Sequence, residues 1–252
     1  MIRYGKFVFF IGLLLCAQLA SAQTTFVVVA ANMKDAFTEI NQEFQKETKS
    51  DLKIIFGSSG NLASQIMNGA PFHLFISADE QYPLELFKKG KTIDEGKIYA
   101  IGTLALISNK AKGVSVQDLK ESISIAITRA NKIALAKPEL APYGKASVEY
   151  LKSNGLWDLA KDKIVFADNI AMAAMFVTTG SADIGFTALS IAKSPAVLKE
   201  TSLIELSKTF YQPIRQRMVL MKTATPDAKK LYAFMQSSKA KTILRSHGFE
   251  TP

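Results

Sequence analysis

Residues 25–30 (Thr-Phe-Val-Val-Val-Ala) form a short, continuous, β-branched apolar run, which predicts a buried strand. Apolar positions then recur at Met33, Phe37, Ile40 and Phe44, with Lys34, Asp35, Glu43 and Lys46 off that face. That spacing is one side of a helix. The same alternation continues along the chain. Strands are predicted at 52–56, 74–77, 104–107, 133–136, 164–166, 183–187 and 214–221. Helices are predicted from Leu62 through Met67 and at 80–89, 144–153, 170–177, 226–235 and 238–247, the last stopped by Gly248. Strands alternating with helices argue an α/β architecture with mostly parallel sheets. No repeat, low-complexity tract or Pro/Gly-rich linker divides the chain. Any second lobe must therefore be reached by strands that cross over.

The first 22 residues have a different pattern. Arg3 and Lys6 precede an apolar run over 7–17, and Ala20-Ser21-Ala22 supplies small residues at the −3 and −1 positions. This is the pattern of a secretory signal peptide cleaved after Ala22. An uncleaved anchor is the alternative, but the run is short for a membrane span. Leu15 before Cys16 is not the small residue that lipoprotein processing requires. Removing residues 1–22 takes away two basic residues, no acid and the one cysteine, so the formal charge falls from +9 to +7. A cysteine-free chain suits an oxidising compartment. One cysteine and two histidines argue against a thiolate or His-rich metal centre.

Net positive charge raises nucleic acid or anions as partners. The lysines are scattered, at 88, 89, 91, 110, 112, 161, 163, 229 and 230, without interleaved aromatics. Nucleic-acid binding needs a concentrated basic face, so no nucleic-acid partner is expected.

Candidate chemistry lies at four strand-to-helix junctions: Ala30-Ala31-Asn32, Gly57-Ser58-Ser59-Gly60, Ala141-Pro142-Tyr143-Gly144 and Asp168-Asn169-Ile170. The first turn of a helix carries unpaired N–H donors and partial positive charge, so several such turns aimed at one point make an anion site without lysine. Asn32, Ser58, Ser59 and Tyr143 can add side-chain donors. The competing reading makes Asn32 and Ser59 ordinary helix N-caps. Spacing alone leaves open whether the four junctions converge.

At these residues the chain resembles the periplasmic molybdate-binding proteins of ABC transporters. The resemblance runs through Val28-Val29-Ala30-Ala31-Asn32-Met33, then the stretch from Phe56 to Ile66, then Gly69-Ala70-Pro71 to Asp79. It continues through Ala141-Pro142-Tyr143-Gly144, Ala167-Asp168-Asn169-Ile170, the stretch from Gly180 to Phe186, and His247-Gly248-Phe249. It implies a two-lobed periplasmic-binding-protein fold, each lobe a mostly parallel sheet flanked by helices. Residues 23–104 and 208–252 would form lobe 1 and 105–207 lobe 2. Asn32, Ser59, Tyr143 and Ile170 would hold the anion, with Ser58, Asn169 and Ala188 as additional candidates. Some relatives carry a tyrosine where this chain has Ala188, a donor that Tyr143 would replace. His73 stands where the family often has an acid and reads as a surface substitution. The implied ligand is molybdate or tungstate, with no cofactor and no cation ligand. The implied partner is an inner-membrane permease, and the binding protein itself is expected to be a periplasmic monomer.

Two other readings compete. A serine hydrolase could pair Ser59 with His73 or His247, but Gly57-Ser58-Ser59-Gly60 is not the Gly-x-Ser-x-Gly elbow. Another tetrahedral oxyanion, sulfate above all, would suit the same neutral donors. Phosphate keeps a proton at neutral pH and would require a carboxylate acceptor, which the inferred contacts lack.

Overall fold

A computed structural model describes residues 24–113 and 120–252; the leader expected at 1–22 lies outside the described residues. Strands β1 (Thr25–Ala30), β2 (Leu52–Gly57), β3 (Leu74–Ile76), β4 (Lys97–Gly102) and β10 (Ile214–Leu220) form one sheet, ordered β2-β1-β3-β10-β4. Strands β5 (Leu104–Asn109), β6 (Ile133–Ala136), β7 (Ile164–Ala167), β8 (Ile184–Ala188) and β9 (Thr201–Glu205) form the other, ordered β7-β6-β8-β5-β9. The sheets are mixed. In each, four strands share a direction and one opposes them, β10 in the first sheet and β5 in the second. The opposed strand is in both cases the one that arrives from the other sheet. Only Thr103 separates β4 from β5. Its carbonyl accepts from Leu189 N–H at 2.9 Å, and Leu104 N–H donates to the Tyr211 hydroxyl at 3.0 Å, so the passage is pinned on both sides.

Helices cover both faces of the first sheet. On β1, Val27 and Val29 pack with α1 (Lys34–Thr48), α10 (Pro226–Phe234) and α11 (Ser238–Ser246). Val28, on the opposite face, packs with α2 (Ser59–Met67) and α3 (Gln81–Lys88). The second sheet packs against α4 (Lys120–Arg129), α5 (Pro142–Ser153), α6 (Trp157–Ala160), α7 (Ile170–Thr178), α8 (Leu189–Ala192) and α9 (Pro195–Glu200). Its core also takes in Ala30, Ala31 and Ala78 from the first lobe, so the lobes meet across small residues at the strand ends. Burial of this kind contributes about 25 cal/mol per Å² of apolar surface.

The hydrophobic pattern misses β4, β9, α4, α8 and α9. Both missed strands lie at sheet edges, and their pairing comes from β10 and β5, far away in sequence. Helix α4 is rich in Ile, Ser and Thr, which carry little helix preference of their own.

His73 corrects the surface reading. It is only 4% exposed. Its backbone N–H donates to Phe26 O at 3.0 Å, and its Nδ1 accepts from Phe26 N–H at 2.9 Å. The ring extends the pairing between the starts of β1 and β3, and desolvation holds its pKa below the ordinary 6.5.

Candidate functional site

The C-terminal ends of β1, β2, β6 and β7 feed the four junctions. In open α/β sheets this is where ligands lie. The structure brings Asn32, Ser58, Ser59, Tyr143 and Ile170 around one pocket between the lobes. All five are buried: Asn32 2%, Ser58 5%, Ser59 1%, Tyr143 1% and Ile170 3% exposed. The remaining walls are the small residues Ala30, Ala31, Gly57, Ala78 and Ala141, with Pro142. The free space is about 10 Å³, roughly the room one water occupies. No lining residue carries a formal charge.

Each junction reaches the pocket for a local reason. Ser58 occupies the N-cap position of α2 with extended backbone, but its side chain makes no capping bond. Its Oγ is buried and unpartnered. Ser59 is the first residue of α2, and its Oγ accepts from Ala78 N–H at 2.9 Å. That acceptance leaves the Ser59 hydroxyl proton free. Asn32 lies inside a short 3-10 turn and is not a cap, so the capping alternative holds for neither residue. Pro142 opens α5, where a missing N–H costs nothing, and places Tyr143 one residue inside. Ile170 opens α7. The N–H groups of Ser59 and Ile170 therefore sit in first turns that offer no intrahelical acceptor.

Two further candidates are placed elsewhere. Asn169 is half-buried, and its Oδ1 accepts from Met172 N–H at 3.0 Å, an ordinary N-cap of α7. Ala188 ends β8, fully buried, and does not line the pocket. Asp168, the carboxylate nearest in sequence, pairs with Lys137 Nζ at 2.7 Å on the surface. Burial holds the Tyr143 phenol well above its usual range, so it stays a neutral donor.

Gln216 is a member of the site that spacing did not reveal. It is fully buried on β10 and hydrogen-bonds Asn32 from one lobe and Tyr143 from the other. In the sequence, Gln216 falls on the same alternate positions as Ile214 and Met218, between Arg215 and Arg217, a polar break in the apolar face of the strand that could have flagged it.

A larger cavity, about 160 Å³, lies on the other side of Pro142. It is lined by Asp79, Glu80, Lys145, Glu149 and Arg215. Arg215 and Arg217 both pair with Glu80, at 2.7 and 2.6 Å. Burial pushes the Asp79 carboxyl up to about 6, against the pull of its Ser77 and Tyr82 hydrogen bonds. Three carboxylates make this larger space a poor host for an anion.

Residues 26–250 match the family model of bacterial extracellular solute-binding proteins. The chain belongs to this family. Among its members, a molybdate-binding protein of Azotobacter vinelandii is 36% identical over 244 residues, covering 94% of this chain and 93% of that protein. A molybdate-binding protein of Rhodobacter capsulatus is 33% identical, covering 92% and 90%. The solved Azotobacter vinelandii periplasmic molybdate-binding protein superposes with a TM-score of 0.83 at 33% identity, covering 90% of this chain and 99% of that one. These matches run through both lobes, so the solute-binding family accounts for the whole two-lobed α/β fold.

Proposed function

We propose that this solute-binding protein captures molybdate, and tungstate with it, in the interlobe pocket and delivers it to an ABC permease for import. The observation that carries this reading is a pocket of buried, uncharged donors with no carboxylate among its walls. A fully deprotonated tetrahedral dianion offers only acceptors, and such a pocket offers donors: the Ser58, Ser59 and Tyr143 hydroxyls and the first-turn N–H groups of α2 and α7. Preset donors in a water-poor site replace the hydration shell with little reorganisation. The names of the relatives at 33–36% identity support molybdate over sulfate. Asn32, Ser58, Ser59, Tyr143 and Ile170 are the proposed contacts. Residues 23–104 with 208–252, and residues 105–207, are the proposed lobes, acting as a monomer without a nucleic-acid partner. Residues 1–22 are the proposed leader, cleaved on export to the periplasm. The chain needs no catalytic step for this role.

Competition calorimetry with molybdate, tungstate and sulfate tests the proposal. Molybdate and tungstate are expected to bind with similar affinity and to exclude sulfate. A chain that prefers sulfate, or that ignores molybdate, sinks it.

A further inference from the structure

The amide of Gln216 is hydrogen-bonded at both ends. Its Oε1 accepts from Asn32 Nδ2 at 3.0 Å and from the Tyr99 hydroxyl at 2.8 Å. Its Nε2 donates to the Tyr143 hydroxyl at 3.0 Å. The register between β10 and β4 slips between Gln216 and Arg217, leaving Tyr99 as the extra residue on β4, and it is the Tyr99 hydroxyl that reaches the amide. Gly102 makes room for the contact, because a Cβ there would lie 2.0 Å from the Tyr143 hydroxyl and 2.6 Å from Gln216 Nε2. One amide thus joins Asn32 of the first lobe to Tyr143 of the second.

The two ends of an amide are not interchangeable. The oxygen only accepts and the nitrogen only donates. A tyrosine hydroxyl that accepts from Nε2 must direct its single proton elsewhere, and Tyr143 lines the pocket. We infer that Gln216 is a positioning residue that sets Tyr143 as a hydrogen-bond donor to the bound anion. The inference rests on the oxyanion reading given above. Gln216 itself does not line the pocket and acts through Tyr143 and Asn32.

The substitution Gln216→Glu separates a polarity role from a packing role. Its carboxyl, while neutral, keeps one donor and one acceptor, as the amide does. Once ionised it only accepts, and takes the Tyr143 proton away from the anion. Binding by Gln216→Glu is therefore expected near wild type at pH 5 and to weaken by about 100-fold or more by pH 9, against a nearly flat wild-type profile. Gln216→Met, similar in size and without polarity, is expected to weaken binding by about 3- to 10-fold at every pH. In a Tyr143→Phe background the methionine change is expected to have much less effect, because its route to the anion is gone. Thermal melts of each ligand-free variant establish that it folds.

The titrations use whichever of molybdate, tungstate and sulfate the wild-type chain binds. Loss of molybdate binding alone therefore overturns the functional reading and leaves this test standing; a wild-type chain that binds none of the three overturns both. Equal losses for the glutamate and methionine variants at all pH values overturn the inference. So does a methionine effect that is fully additive with Tyr143→Phe, and that measurement decides the case if the glutamate variant does not fold.

Discussion

Two neighbouring spaces have Pro142 as a common wall, and they are built on opposite principles. The small pocket has no formal charge and retains donors that nothing in the protein satisfies, among them the Ser58 hydroxyl. The larger cavity is lined by charge, and its carboxylates already have partners: Glu80 pairs with Arg215 and Arg217, Asp79 accepts from the Ser77 hydroxyl at 2.9 Å, and Glu149 accepts from the N–H of Gln212 at 2.9 Å. Binding energy is available where polar groups are buried and unpaired, because a ligand relieves a cost of about 1–3 kcal/mol per group. Charges that are already paired offer little to a newcomer. The chemistry of recognition therefore sits in the smaller space.

The sharpest way to break this contrast is to charge the neutral pocket. Ser58→Asp puts a carboxylate at the N-cap of α2, where Asp is a favoured cap, so the helix is expected to hold. Anion affinity is expected to fall by about 100-fold or more, since like charges are forced together in a poorly solvated site. Glu149→Gln, which neutralises a wall of the larger cavity, is expected to change affinity by less than about threefold. Equal effects in calorimetry would erase the distinction.

A smaller effect is expected from the seam between the lobes. Gly60 N–H donates to Leu140 O at 2.9 Å, and the Tyr82 hydroxyl donates to Glu139 O at 2.8 Å. A Cβ at Gly60 would lie 2.7 Å from the Tyr82 hydroxyl and 3.0 Å from the Leu140 backbone. Gly60→Ala is expected to wedge the seam and weaken binding by about 10-fold through faster release, as overpacking typically costs about 1–3 kcal/mol. An unchanged dissociation rate in stopped-flow fluorescence contradicts this.

A last effect belongs to the larger cavity and to stability alone. Burial pushes the folded Asp79 carboxyl up to about 6, above its ordinary 3.8. The folded state then holds a proton that the unfolded state has released. The stabilisation is complete below pH 3.8 and is lost as pH rises through 6. Asp79→Asn removes that loss and is expected to be more stable than wild type at pH 8 by about 1 kcal/mol, partial exposure reducing the effect. Urea melts at pH 4 and pH 8 check it; a gap between the two proteins that does not grow with pH argues against a buried carboxyl.

Much of this fold was legible in the chain. Met33, Phe37, Ile40 and Phe44 fall on the buried face of α1, and Gly248 follows the end of α11 in the left-handed conformation at φ 84°. The edge strands β4 and β9 were not legible, because an edge strand owes its shape to a neighbour more than to its own residues. Within the site, Asn32, Ser58, Ser59, Tyr143 and Ile170 were visible as helix-start residues. Asn169 was visible in the same way and proved to be a plain cap, since one short polar side chain suits both tasks.

The sequence alone determined the alternating α/β elements, the small and polar residues at the strand ends and the resemblance that joined them. Local patterning settles these, because side-chain period and turn chemistry act over a few residues. Only the tertiary structure decided that the four junctions face one pocket and that Gln216 links Asn32 to Tyr143, 184 and 73 residues away. Only it showed that Ser58, and not Ser59, holds the cap position. Those outcomes depend on which strand lies beside which, and strand order comes from long-range pairing that no local pattern encodes.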